Sequence, residues 1–200
     1  MDVKNNAYAF ENDTIVIDRN LTDLDIFVRD FLNVLKPFSN YLIVSGFVSI
    51  ATGRARGTED VDILVPVMDK SKFGEFFNEL TKNDFWCYQG ENIDDVYSYI
   101  EKMINIRFAK KDEMFPNMEF ISIDESKKTK YFEFTHPQKI KISDFEFNIP
   151  PIEFEILYKE IILKSKKDIA DAQHLRVFFS NILDDKKFKE YKSIIEEELK

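Results

Sequence analysis

Apolar residues recur along this chain in two rhythms. Leu24, Phe27, Val28, Phe31, Leu32 and Leu35 stand at i, i+3, i+4, i+7, i+8 and i+11, one stripe of a helix that begins near Leu21. Asn20 or Thr22 can cap that helix, and Pro37 ends it. A rhythm of two takes over between Asp60 and Val65, where Val61, Ile63 and Val65 alternate with Asp60, Asp62 and Leu64. This predicts a strand with one apolar face and one largely acidic face. Thr14–Ile17, Tyr41–Val44, Phe85–Tyr88, Asn105–Phe108 and Met118–Ile123 read as further strands, the last two joined by a loop with the charged run Lys110–Asp112 and Pro116. Lys70–Leu80 and Asp94–Met103 read as helices, and Ile140–Ile142 with Phe145–Ile149 as a hairpin turning at Ser143 and Asp144. After Pro150 and Pro151 the pattern is helical: Ala172, Leu175, Phe179 and Ile182 hold one stripe, and Phe188, Tyr191, Ile195 and Leu199 another. Proline breaks elements and restricts its predecessor. The expected division is therefore an α/β core over residues 1–150 and a helical segment over 151–200 packed on it. The fold class is α+β: a mixed, twisted sheet with flanking helices and a C-terminal helical segment.

Composition narrows the function classes. The chain has 200 residues, and 20 Phe and 8 Tyr supply bulky material for a core. The net charge of −9 speaks against an all-over nucleic-acid coat and leaves room for a local basic patch. Cys87 is the single cysteine, so no intrachain disulfide forms, which fits a reducing compartment. One cysteine and two histidines make a poor donor set for structural zinc. No apolar run approaches the ~20 residues that span a bilayer, and Met1–Asp13 is mostly polar without a signal-peptide core. A soluble, cytoplasmic protein with no membrane partner is the expectation.

The chemistry concentrates between Tyr41 and Val65. Ser45 and Gly46 make a small-residue turn between a strand and a short helix, where backbone N–H groups can approach phosphate. Asp60 and Asp62, two apart on a strand, point to one face with Cα atoms about 6.6 Å apart. Two like charges side by side call for a counter-charge, and a divalent cation holding phosphate oxygens supplies one. Arg54 and Arg56 add positive charge on the intervening loop. The stretch is neither a P-loop nor a dinucleotide fingerprint, because Gly46, Gly53 and Gly57 fit neither spacing.

Val44, Ser45 and Gly46, followed by Asp60-Val-Asp-Ile63, resemble the signature of the nucleotidyltransferase superfamily related to DNA polymerase beta. The run Arg56-Gly-Thr-Glu-Asp-Val-Asp62 is similar to the form found in the minimal and abortive-infection toxin-like branches, with Thr58 at the signature threonine. The signature itself covers Tyr41–Val65 only. It implies a third carboxylate on a later strand, for which Glu119 is the choice and Asp124 the reserve; the family more often has Asp there. It extends to the tail, where Lys159, then Lys167, Asp168 and Asp171, match a lysine helix followed by Lys-Asp-x-x-Asp. The resemblance implies Mg²⁺ or Mn²⁺ on Asp60, Asp62 and Glu119, and Lys159 as a catalytic cation. An NTP substrate would be held by Ser45, Gly46, Arg56, Thr58, Asp168 and Asp171. NMP would pass to a hydroxyl of RNA, such as a tRNA end, or of a protein side chain, with a cognate antitoxin or toxin as a further partner.

Plainer readings stand beside these. Asp168 also suits a helix N-terminus and Asp171 a local ion pair. His174 reads as a helix-face residue, His136 as a loop residue, and Cys87 as a buried thiol. Lys127, Lys128 and Lys130, with Lys164, Lys166 and Lys167, read mostly as solvated charge; gathered at a cleft mouth they would guide an RNA acceptor. The alternative function is a catalytically weak nucleotide-binding or partner-binding, antitoxin-like protein on the same scaffold.

Overall fold

The computed structural model describes Val3, Lys4 and residues 7–199; Met1, Asp2, Asn5 and Asn6 of the polar N-terminal stretch, and Lys200, lie outside the described residues. In chain order the elements are β1 (Val3–Lys4), β2 (Ala9–Glu11), β3 (Thr14–Ile17), α1 (Asp23–Leu35), β4 (Leu42–Val44), α2 (Gly46–Ala51), β5 (Asp60–Pro66), α3 (Lys70–Lys82), β6 (Phe85–Cys87), α4 (Ile93–Glu101), β7 (Ile106–Lys110), β8 (Asn117–Ile123), α5 (Lys128–Thr135), β9 (Gln138–Ile142), β10 (Phe145–Ile149), α6 (Ile152–Tyr158), a π-helical turn (Lys159–Leu163), α7 (Lys166–Phe178) and α8 (Asp185–Glu197). The result is a mixed α+β fold with mixed sheets and flanking helices, as the pattern predicts. Among the described residues no helix is long and apolar enough to cross a membrane.

The chain forms two compact units. One comprises residues 1–20, 42–56 and 127–200; the other comprises 21–41 and 57–126.

In the first unit the strand order is β1-β2-β3-β9-β10, antiparallel except for the parallel pair β3/β9. The hairpin β9/β10 turns at Ser143, whose φ of 55° is a left-handed turn conformation. Phe147 packs on Phe47 of α2, with ring centroids 5.5 Å apart. The late helices share a core of Phe154, Leu157, Tyr158, Tyr191 and Ile195, against which Phe132 of α5 and Phe188 pack. Helix α5 lies where the sequence shows only a lysine run; its buried residues are Thr129 and Glu133, so no apolar stripe announces it.

In the second unit the strands run β5-β8-β7-β6, with β5/β8 parallel and the other pairs antiparallel. Helix α1 starts where Thr22 caps it in a capping box with Asp25. Asp69 and Asn92 cap α3 and α4. The apolar stripes of α1 and α3 meet the sheet through aromatic rings. Phe108 of β7 is the hub, with Phe31, Phe76, Phe77 and Phe120 centred 5.8, 6.1, 6.1 and 6.2 Å away. Such ring pairs add to the area they bury.

Because Phe108 is 1% exposed and touches four rings, Phe108→Ala should cost about 3–5 kcal/mol in the stability of this unit, read by urea unfolding followed by fluorescence. A loss under about 1 kcal/mol would show that the cluster repacks around the cavity.

Candidate active site

Strand β5 carries the two aspartates of the signature. Asp60 and Asp62 are half-buried, whereas Val61 and Ile63 are fully buried on the opposite face. The acidic face covers only the first half of the strand, because Leu64 is also fully buried. Thr58 fixes the entry: its hydroxyl donates to the Asp60 carbonyl at 2.7 Å and lies 3.4 Å from Asp60 Oδ1.

Pairing of β5 with β8 sets what stands beside the aspartates. In parallel register Asp60 is opposite Asn117 and Asp62 is opposite Glu119. In antiparallel register on the other side, Glu119 is opposite Arg107 of β7. Glu119 therefore stands one strand from Asp62 and one strand from Arg107, each about 4.8 Å away in backbone spacing. Both oxygens of Glu119 are engaged: Arg107 Nη2 donates to Oε2 at 2.8 Å and Asn105 Nδ2 to Oε1 at 2.8 Å. The pair raises the Arg107 pKa, mainly through its hydrogen bond to Glu119, with the fields of Glu119, Asp60 and Asp62 adding. Asn117 is 3% exposed; its Nδ2 donates to the Glu59 carbonyl at 3.0 Å and its Oδ1 has no hydrogen-bond partner. Asp124, the reserve carboxylate, follows β8 and accepts from Ser126 N at 2.9 Å and Ser126 Oγ at 2.5 Å.

Among the described residues no group of three or more His, Cys, Asp or Glu side chains stands arranged to hold a metal ion. The donor set nonetheless fits a hard divalent cation in kind: two neighbouring carboxylates, the unpartnered amide oxygen of Asn117, and a third carboxylate held by Arg107 and Asn105.

The other unit gathers a second group. Ser45 follows β4 with φ 65° and ψ −131°, a conformation that favours glycine. Next to it a Cβ on Gly46 would lie 2.9 Å from Arg56 Nη2, so the glycine leaves the space that the guanidinium fills. Arg56 Nη1 in turn donates to Asp171 Oδ2 at 2.6 Å. Arg54 touches the other Asp171 oxygen and donates to the Lys167 carbonyl at 3.3 Å. Lys159, 0% exposed, lies 3.2 Å from Asp171 Oδ2 and 3.1 Å from Glu155 Oε1. Three cations thus share two buried carboxylates. Burial pushes the Glu155 carboxyl pKa up, opposed by Lys159 and by a hydrogen bond from the Ser45 backbone.

The predicted residues sort accordingly. Gly46, Arg56, Lys159 and Asp171 come together in one unit, with Ser45 bonded to Glu155 beside Lys159. Thr58, Asp60, Asp62 and Glu119 share one face in the other. Asp168 sits apart in a capping box: Ser165 N and Ser165 Oγ donate to its Oδ2 at 3.2 and 2.5 Å. His174 faces the hydroxyl of Thr52 at 3.0 Å. Cys87 is buried, and burial raises its thiol pKa to about 11, which suits no nucleophile. Sequence reasoning missed Arg107, Asn105, Asn117 and Glu155. The one available signal for Arg107 was a charge between the inward-facing Ile106 and Phe108.

No family model matches the chain, and no curated protein matches it. Among solved structures it is similar to an antigenic nucleotidyltransferase-like protein from Paracoccidioides brasiliensis, at 15% identity over 88% of this chain and 94% of that one, with a TM-score of 0.47.

Glu133 of α5 is 2% exposed, and burial, with Glu155 and Glu198 adding and Lys130 opposing, raises its pKa to about 8. Its folded value lies above the unfolded one, so the folded state holds the extra proton, and stability falls as pH rises from about 4.5 to 8. Glu133→Gln should remove this slope and leave the variant more stable by a few kcal/mol, on the order of 3, at pH 8.5. Urea unfolding at pH 5 to 9 checks it; equal slopes in both proteins would contradict the buried, protonated carboxyl.

Proposed function

We propose that this protein is a metal-dependent nucleotidyltransferase of the minimal, toxin-like branch of the DNA polymerase beta superfamily, transferring NMP from an NTP to a hydroxyl of RNA or of a protein. The observation that carries the reading is the register that sets Asp62 beside Glu119, with Asp60 and Asn117 next along the same face. Asp60 and Asp62 would hold Mg²⁺ or Mn²⁺, with Glu119 the third carboxylate. Bound there, the metal supplies hard positive charge that lowers the acceptor hydroxyl's pKa and neutralises the leaving pyrophosphate. In the transfer, the acceptor oxygen bonds to the α-phosphorus, the bond to pyrophosphate breaks and the hydroxyl proton passes to water. Thr58 fixes the entry of β5 and so orients Asp60.

The second group, in the other unit, carries positive charge: Asp171 holds the partly exposed Arg54 and Arg56 beside Gly46, and the fully buried Lys159 pairs with Asp171 and Glu155. Asp171 then acts by holding cations rather than by touching the NTP, and Asp168 by capping α7. A cytoplasmic location and a cognate antitoxin belong to the same reading.

One observation favours the second reading, a catalytically weak nucleotide- or partner-binding protein: both oxygens of Glu119 are already engaged. Incubation with labelled NTPs, Mg²⁺ and total RNA or lysate should label an acceptor, and the Asp60→Asn/Asp62→Asn variant or EDTA should lower labelling by more than ~100-fold. Label that persists in the variant would remove the metal-site assignment. Thermal stabilisation by NTP that is equal with and without metal, with no product, would favour the binding reading.

A further inference from the structure

The face of the sheet that carries the carboxylates continues beyond them to two aromatic rings. Tyr88 N donates to the Arg107 carbonyl at 2.9 Å, so the β6/β7 register runs one residue past the Cys87–Phe108 pair. Arg107 is opposite Glu119, and Glu119 is opposite Asp62. Tyr88, Arg107, Glu119 and Asp62 therefore form one row across the sheet. Its ends lie three strand spacings apart, about 14 Å. Trp86, two residues before Tyr88, points to the same side. Phe85 and Cys87 alternate with them and are buried on the other side.

The rings of Trp86 and Tyr88 are stacked, with centroids 4.7 Å apart and planes 24° from parallel. Their polar edges are already bonded. Trp86 Nε1 donates to the carbonyls of Lys110 and Glu113 at 3.0 and 2.9 Å, and the Tyr88 hydroxyl donates to the Met114 carbonyl. These bonds to one turn fix both rings in place. Holding the turn uses only the ring edges, yet Trp86 is still 37% exposed. A fixed, flat, exposed aromatic surface with no polar group left to offer selects a flat partner. Next along the row stands Arg107, a planar cation whose side chain is 43% exposed. Aromatic rings on a sheet face with a guanidinium beside them are what an unpaired base and its phosphate require.

We propose that Trp86 and Tyr88 form a stacking platform for an unpaired base of single-stranded RNA, with the strand lying along the row past Arg107 toward Asp60 and Asp62. That the strand is the acceptor rests on the transfer reading; the platform itself rests on the rings and the register. Because the rings are fixed before the base arrives, little side-chain ordering opposes binding. Every base has an aromatic face, so the platform holds the strand without reading its sequence.

Trp86 is the only tryptophan of the chain, so its emission reads this site alone. A single-stranded RNA of about 12 nucleotides, with neither NTP nor metal, should quench it, and the same strand in a blunt duplex should not. Trp86→Ala and Tyr88→Ala should weaken binding of the labelled strand at least about fivefold, read by fluorescence anisotropy. Trp86→Phe, which keeps a ring, should fall between these and wild type, and it serves where an Ala variant does not fold. Equal quenching by strand and duplex, or unchanged affinity in all three variants, overturns the proposal. So does emission that responds to unfolded casein and not to the strand, which would assign the rings to a protein partner. Label transfer that needs Asp60 and Asp62 while the strand leaves Trp86 emission unchanged removes this proposal alone. Quenching that follows the expected pattern with no label transferred from any NTP supports the platform and removes the transfer reading alone.

Discussion

Everything at the acidic face depends on one register, the parallel pairing of β5 with β8. Side chains alternate along a strand, so a slip of one residue would bring Met118 or Phe120 opposite Asp62 and turn the carboxylates into the core. The register is held from beneath, where Val61 and Ile63 on one strand and Met118 and Phe120 on the next are buried to 1% or less. It is also held at both ends of the ladder, by Asn117 N donating to the Glu59 carbonyl at 2.9 Å and Val67 N to the Ile123 carbonyl at 3.0 Å. The aromatic cluster around Phe108 thus does more than stabilise its unit: it keeps the apolar face of β8 down and so keeps Glu119 up.

The two charged groups solve the same problem differently. At the acidic face, Glu119 is held by an arginine with access to solvent. In the other unit, cations outnumber carboxylates, and Lys159 and Asp171 are fully buried. A buried pair contributes little net stability once desolvation is counted, but removing one member leaves the other uncompensated. Loss of Asp171 would therefore leave the buried Lys159 short of a counter-charge, whereas the arginine partner of Glu119 has solvent beside it.

Long amphipathic elements were legible in the sequence because their periodicity is local: α1, α3, α4 and β5 lie close to where the pattern puts them. Helix α5 was hidden because its inward residues are Thr129 and Glu133, which look like surface. Asp60, Asp62 and Glu119 were legible because carboxylates between apolar neighbours on strands are visible as spacing. Arg107 was not, because its meaning lies in a partner 12 residues on, and nothing local reveals which strand pairs with which. Asp171 was found, but its action through Arg54 and Arg56 joins residues more than a hundred positions apart. Residue type and spacing expose what a side chain can do; the register decides whom it does it with.

The interleaving of the two units has a consequence for how the protein is made. One unit is complete in sequence once Ser126 has been synthesised, whereas the other needs residues 1–20, 42–56 and 127–200 together. On the ribosome the acidic-face unit has its whole core available while the other still lacks its last strands and all the late helices. Strands β1 to β3 must wait through the synthesis of most of the chain before β9, the parallel partner of β3, emerges. There is thus a stage of synthesis at which every residue of the carboxylate-face unit has been made and Lys159 has not.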